Sequence, residues 1–444
     1  MSQDAVIARA IQGLLGDVIE QSARDQGADQ RRGSKLSGGA FARTLMLGFL
    51  HQPQATLDDL AQTAALVAEP VSPQAIDQRF TLRAADHLKM CLETAVRQVI
   101  KAERAASTAL FDRFSEVCVQ DSTSIQLPDE FASQYRGCGG CAPTVALSAL
   151  KFQVRFELKR GGLQGFRIEE GRSSDATTPL QTQDIVAGSL HLRDLGYFDL
   201  AVFRAIEGEK AFYLSRLHRT AAVFDAAGQR LVVSHYLMRQ RRRVVEATVT
   251  VGVAERMPGR MIAVRIPRAL RHQRRQDQRR QARKKGYRLS KEQLALCVWN
   301  IYITNLPPTL LTVAEAVALL RMRWQIELLF KQWKSVGGLD ESRSRKPERV
   351  LCELFAKMLA LVIQHWILIT SCWQYPNRSL SRASQAVRRL AGSLAAAWRS
   401  IGQIAEIVRQ IARILQRTAR VDRRRKQPSA FQVIDNPTQY GYKL

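Results

Sequence analysis

The sequence predicts a mixed α/β protein with helical regions at both ends. Three observations predict it: apolar residues at three- and four-residue spacing over 1–108, strict alternation from about residue 114, and helical spacing again from 311 almost to the end. At 444 residues with 46% hydrophobic content, the chain buries a sizeable core and has the length of about three domains.

The N-terminal stretches "SKLSGGAFARTLMLGFLHQP", "TLDDLAQTAALVAEP" and "SPQAIDQRFTLRAADHLKMCLETAVRQVIKAE" are helical by spacing and are punctuated by Pro53, Pro70 and Pro73. "EVCVQD" and "LKFQVRFELKRGG" alternate and favour β-branched and aromatic residues, so they are expected as strands. "TPLQTQDIVAG" reads as a helix, followed by short extended pieces, one ending at Asp194 and one at "AFYLSRL". From 218 to 305 the chain reads as hairpins, "RLVVSHYL", "VVEATVTVGVA", "RMIAVRIP" and "CVWNIYITNLP", with the Arg-rich "RALRHQRRQDQRRQARKKGYR" (268–288) as an exposed helix or loop between the last two. Thr312 and Glu315 form a capping-box pair that starts a helix. Further helices are expected at about 347–373, 379–398 and 400–418, before a basic tail, "RTARVDRRRKQPS", of disordered composition.

Lys and Arg total 67 against 40 Asp and Glu, a formal net charge of +27. Such an excess implies a polyanionic partner, nucleic acid first, because each phosphate neutralised releases condensed counterions. The Arg-rich 268–288 segment is read as a phosphate contact, the alternative being a solvated face. The N-terminus carries Asp4 and Asp17 and lacks the basic start and unbroken apolar core of a signal peptide, so a cytoplasmic protein is expected. The most apolar stretch, 354–373, contains Lys357, Gln364 and His365 and reads as a buried core helix, with no membrane partner. Seven cysteines over this length do not make a disulfide framework, and the CxxC of Cys138 and Cys141 has no second ligand pair, so a glycine-rich turn is expected there.

The stretch "RMRWQIELLFKQWKS" (321–335) places Leu319, Met322, Ile326, Leu329, Phe330 and Trp333 on one helix face, which must be buried. Arg323, Glu327 and Lys334 fall to its side, at the edge of the core. Glu327 is open to two readings: an ion pair with Arg323, or a metal ligand held by packing. The pair runs Arg before Glu at i, i+4, the less favourable orientation, so helix stabilisation explains it poorly.

"RWQIE" followed by "LLFKQWK" resembles the signature of bacterial insertion-sequence DDE transposases, in the subgroup marked by Tyr, Arg, Glu and Lys at spacings of two, three and six intervening residues. Arg323, Glu327 and Lys334 match three of these positions, and Leu320 stands at the tyrosine position. The resemblance implies two upstream aspartates: Asp121, ending "EVCVQD", and Asp194, in "LHLRDLGYFDLAVFRAIEGEKAFYLSRL". Seen alone, Asp121 reads equally as a turn or cap residue, Asp184 and Asp199 are rivals to Asp194, and Asp175 is most simply a turn or N-cap residue.

The resemblance further implies a ribonuclease-H-like catalytic core interrupted by a β-rich insertion. Its parts would be a helical DNA-binding region (1–108), the first part of the core (109–217), the insertion (218–305), the second part of the core (306–375) and a helical C-terminal region with the basic tail (376–444). Asp121, Asp194 and Glu327 would hold two Mg²⁺ ions, with Mn²⁺ able to substitute, since hard cations prefer oxygen ligands. Arg323, Lys331 and Lys334 would contact DNA phosphates. Trp299 would stack an extruded base, the alternative being a half-buried strand aromatic. The implied activity is cut-and-paste transposition, through hairpin ends in this subgroup, on double-stranded DNA in a synaptic homodimer at the nucleoid. Two other readings stay open: a catalytically silent transposase-derived DNA-binding protein or repressor, and a nuclease that does not join strands.

Overall fold

The alternation that begins near residue 114 becomes a sheet, and the periodic stretches on either side become helices. The computed structural model describes residues 2–28, 35–106, 108–138, 147–284, 286–375, 377–421 and 428–440. In chain order the elements are α1 (Gln3–Gly13), α2 (Ile19–Asp25), α3 (Gly38–His51), α4 (Leu57–Val67), α5 (Pro73–Asp77), α6 (Leu82–Arg97), β1 (Val117–Leu127), β2 (Ser148–Glu157), β3 (Leu163–Glu170), β4 (Leu190–Arg193) and α7 (Leu200–Gly208). They continue with β5 (Phe212–Arg216), β6 (Val223–Phe224), α8 (Val233–Met238), β7 (Val244–Val251), β8 (Met257–Arg265), α9 (Arg268–Lys284), α10 (Lys291–Leu296) and β9 (Trp299–Thr304). The last are α11 (Val313–Met322), α12 (Trp324–Lys331), α13 (Pro347–Cys372), α14 (Leu380–Arg389), α15 (Ala391–Ala397), α16 (Ile401–Arg417), α17 (Ala430–Asp435) and α18 (Pro437–Tyr440). The chain divides into two units, one of Met1–Ser107, Asp121–Ser174 and Ile326–Arg423, the other of Thr108–Gln120, Asp175–Gln325 and Arg424–Leu444.

The first unit is built on α13. This helix is long and apolar enough to cross a membrane, yet its apolar window is wholly buried in the protein, with α3 and α6 packed on it and α1 on α16. Three of its buried polar side chains are hydrogen-bonded. Glu353 accepts from Arg349 Nε and Ser342 Oγ, both at 2.8 Å, and Lys357 Nζ donates to the carbonyls of Glu341 (2.6 Å) and Gly338 (3.1 Å). His365 Nε2 donates to the Gly161 carbonyl at 2.7 Å. The strands of this unit run in the order β3-β2-β1, and β2, buried along its whole length, is antiparallel to β3. Gly161, in the turn joining β2 to β3, has φ +72°, and a Cβ there would lie 2.7 Å from the Trp373 ring, so both backbone and space call for glycine.

In the second unit the strand order is β1-β4-β5-β9-β8-β7-β6. β1, β4 and β5 are parallel, and β9, β8, β7 and β6 follow antiparallel. The strands between 218 and 305 therefore extend the same sheet. A cluster around Phe203, Ile206, Tyr213 and Met261 packs α7 against it, with Phe203 and Tyr213 stacked at 4.4 Å.

Two expectations are corrected. Residues 178–188 form no α-helix: a short 3-10 turn, Pro179–Gln181, is followed by left-handed backbone at Asp184 (φ 47°) and Gly188 (φ 75°), which a helix cannot pass through. "RLVVSHYL" is the helix α8 from Val233, although its paired valines favour a strand by propensity. The chain is helical again at α17 and α18, beyond the expected tail. Cys141 and the basic run 422–427 lie outside the described residues.

Candidate active site

Strand β1 pairs in parallel with β4 in the register Val117↔Leu190, Cys118↔His191, Val119↔Leu192. One step further, Arg193 Nη1 donates to Gln120 Oε1 at 2.8 Å, and the same guanidinium donates to Gln181 Oε1 (3.2 Å) and to the Gln181 carbonyl (2.9 Å). All three side chains are buried. A buried guanidinium is tolerated where acceptors meet its N–H groups, and these oxygens hold the end of β4 beside the middle of β1. The chain continues from Gln120 into Asp121 and from Arg193 into Asp194. Sequence reasoning missed this network; a glutamine and an arginine directly before the two aspartates were the available signal.

The rivals of Asp194 have structural tasks. Asp199 caps α7, its Oδ1 accepting from Ala201 N (2.8 Å) and Val202 N (3.3 Å). Asp184 sits in left-handed backbone, and Asp175 opens the 3-10 turn Asp175–Thr177. Asp194 stands at the N-cap of a 3-10 turn, Leu195–Tyr197, without a side-chain capping bond. Its carboxylate instead lies 3.7 Å from Arg323 Nη1. Asp121 is half-buried, with Oδ1 accepting from Ser122 N at 2.9 Å.

Glu327 is reached through α11 and α12. Thr312 and Glu315 form the expected capping box at the start of α11, and Arg113 forks onto Glu315 at 2.7 and 3.0 Å. Burial works to raise the Glu315 carboxyl; the Arg113 guanidinium and Thr312 outweigh it and hold the group below its ordinary range. Leu319, Met322, Ile326, Leu329, Phe330 and Trp333 are all buried, as their spacing requires. The helix is not continuous: α11 ends at Met322, α12 starts at Trp324, and a wide π turn covers Gln332–Val336. Glu327 lies half-buried in the first turn of α12. Lys334, in the π turn, donates from Nζ to the Ser124 carbonyl on β1 at 3.0 Å. Lys331 is exposed and Leu320 half-buried.

Asp121 and Glu327 belong to the first unit, Asp194 to the second. Among the described residues, no group of three or more His, Cys, Asp or Glu is gathered as a metal cage. The donors themselves suit a hard divalent cation: they are all carboxylate oxygens, half-buried and so neither sealed off nor fully solvated.

Trp299 departs from expectation. Its ring is 4% exposed, packed with Leu237, Val245, Ala263 and Ile266, and the Arg265 guanidinium covers it at 4.7 Å. This is a core aromatic on a strand, and a base could reach its ring only if Arg265 moved away.

The chain matches the family described as Transposase DDE domain over residues 112–363, more than half of its length. It is 27% identical over 376 residues to the transposase for insertion sequence element IS231B of Bacillus thuringiensis subsp. berliner, covering 79% of this chain and 77% of that one. To the transposase for element IS1151 of Clostridium perfringens it is 25% identical over 382 residues, covering 80% and 78%. A solved piggyBac transposase synaptic complex with hairpin DNA superposes at a TM-score of 0.47 and 9% identity, over 97% of this chain and 87% of that one, a likeness too loose to establish a shared fold. With a matched domain that takes in β1 with Asp121, the end of β4 with Asp194 and the glutamate helix, this chain belongs to the DDE-domain transposase family.

Proposed function

We propose that the protein cuts an insertion sequence from double-stranded DNA at its terminal repeats and joins the freed ends to target DNA. Asp121, Asp194 and Glu327 are the residues that would hold the divalent metal of this chemistry, two Mg²⁺ ions with Mn²⁺ able to substitute. Such ions activate the attacking oxygen and stabilise the leaving one. The observation that carries the assignment is the Arg193–Gln120 hydrogen bond, which extends the parallel β1–β4 register to the residues directly before both aspartates. Carboxylates that share a metal would repel one another in its absence, so the cation and the DNA would complete such a cage. Arg323, Lys331 and Lys334 would hold the phosphates of the cut strand. The core is read as ribonuclease-H-like, the working form as a synaptic homodimer at the nucleoid, and the end-processing route as hairpin formation.

The test is a Mg²⁺-dependent cleavage and strand-joining assay on the DNA flanking the coding region. Asp121→Asn, Asp194→Asn and Glu327→Gln are each expected to lower cleavage at least about a thousandfold, roughly 4 kcal/mol of barrier, with end binding unchanged. Wild-type-like cleavage by any of these variants removes that residue from the site. Cleavage without joined products makes the protein a nuclease, and end binding without cleavage makes it a silent DNA binder.

A further inference from the structure

The helix α9 carries arginine at 268, 271, 274, 275, 279, 280 and 283 and one acid, Asp277. These arginines are not equivalent. Arg280 is paired with Asp277 at 3.0 Å, and Arg274 donates to Asn300 Oδ1 at 2.7 Å. Four others, Arg268, Arg271 and Arg275 with Arg265 at the end of β8, line one open cavity of about 390 Å³, together with His272 and Val298. Among the described residues, no carboxylate lines it.

Two of the four guanidiniums are held from behind. Arg271 Nε donates to the Ile266 carbonyl at 3.0 Å, and Arg265 Nη2 to the Gln240 carbonyl at 3.3 Å. Arg265 also rests on the buried Trp299 ring, and its Nε is buried with no hydrogen-bond partner among the described residues. Burial and then the charges of Arg265, Arg268, Arg243 and Arg275 push the Arg271 guanidinium below its ordinary range. Four like charges around one cavity oppose each other until an anion enters, and anchored guanidiniums lose less freedom in gripping it than mobile ones. The volume exceeds that of a single phosphate and leaves room for a sugar against Val298.

We propose that this cavity is a phosphate pocket that grips the sugar–phosphate backbone of DNA. The proposal rests on the reading that the chain acts on DNA, and it assigns that contact to the first two turns of α9 and not to the helix as a whole.

The test uses the full chain carrying Asp121→Asn, so that only binding is read, with a labelled duplex of the flanking DNA titrated over a salt series. Arg268→Ala/Arg271→Ala/Arg275→Ala is compared with Arg279→Ala/Arg280→Ala/Arg283→Ala, an equal charge loss on the same helix outside the pocket. The pocket variant is expected to lower the slope of log affinity against log salt by about 2 to 3 and the affinity about tenfold or more. The control is expected to change the slope by about 1 or less. Should the triple variant unfold, Arg268→Glu/Arg275→Glu tests the same cavity, since both side chains line it and it spares Arg271, which is bonded to the Ile266 carbonyl. Equal losses in pocket and control variants, or none in the pocket variant, overturn the pocket and leave the reading of DNA action standing. Failure of the parent protein to bind any duplex overturns both. A further arm measures thermal protection by inorganic phosphate alone: protection lost in the pocket variant while its DNA binding is intact would assign the cavity to a free phosphate and overturn the backbone assignment.

Discussion

His365 shows how one residue ties strand to helix. Its ring is buried, its Nε2–H is spent on the Gly161 carbonyl, and it packs edge-on to Phe156 at 5.9 Å. Burial pushes its pKa down to about 4, against the opposing pull of the Gly161 hydrogen bond. An unfolded chain takes up this proton near pH 6.5 while the folded one refuses it until about 4, so stability is lost as pH falls through that window. Relative to His365→Gln, the wild-type protein is expected to lose roughly 3 kcal/mol of unfolding free energy between those limits. Denaturant unfolding at a series of pH values measures it, and parallel curves for the two proteins would contradict it. The aspartates likewise differ by their immediate partners: Asp199 is absorbed by a helix cap, whereas Asp194 caps its turn with backbone only and faces Arg323.

Among the elements, α11 is the most fully determined by local chemistry. Thr312 and Glu315 cap each other, and Arg113 clamps the pair to Leu310, whose carbonyl accepts from its Nη1 at 3.0 Å. Thr312→Ala is expected to cost about 1 kcal/mol in thermal or denaturant unfolding, and Thr312→Ser only a fraction of that. The cap and the buried stripe from Leu319 to Trp333 are legible in the sequence because both rest on spacings of three and four residues. The breaks at Arg323 and at Gln332–Val336 are not, since a π turn preserves an apolar face while shifting what stands beside it. Asp121, Asp194 and Glu327 are found by resemblance to a motif. The Arg193 network leaves only a faint trace in the sequence, a glutamine and an arginine before the two aspartates, because it joins Gln120 and Gln181 to a residue that the fold brings near. The arginine run is visible as a charge, but its cavity is not, because Arg265 comes from another element, the strand β8. The false helix at 178–188 and the false strand at 230–237 are short segments where one residue in left-handed backbone, or one turn of packing, outweighs propensity.

At the scale of the molecule, a division of the chain into consecutive stretches and a division by contacts differ. Residues 1–107 share a unit with 121–174 and 326–423, while 175–325 share one with 108–120. The apolar faces of α3 and α6 are covered by α13, and α1 by α16. Residues 1–107 expressed alone are therefore expected to show no cooperative thermal transition, and a fragment that melts sharply would contradict the assignment of their core. Birth on the ribosome is shaped by the same arrangement. At ordinary elongation rates the first helices emerge tens of seconds before the helix that shelters them has been translated. In that interval their sticky faces depend on chaperones, and a message truncated before α13 would yield a polypeptide fit for proteolysis or aggregation, not a smaller working protein.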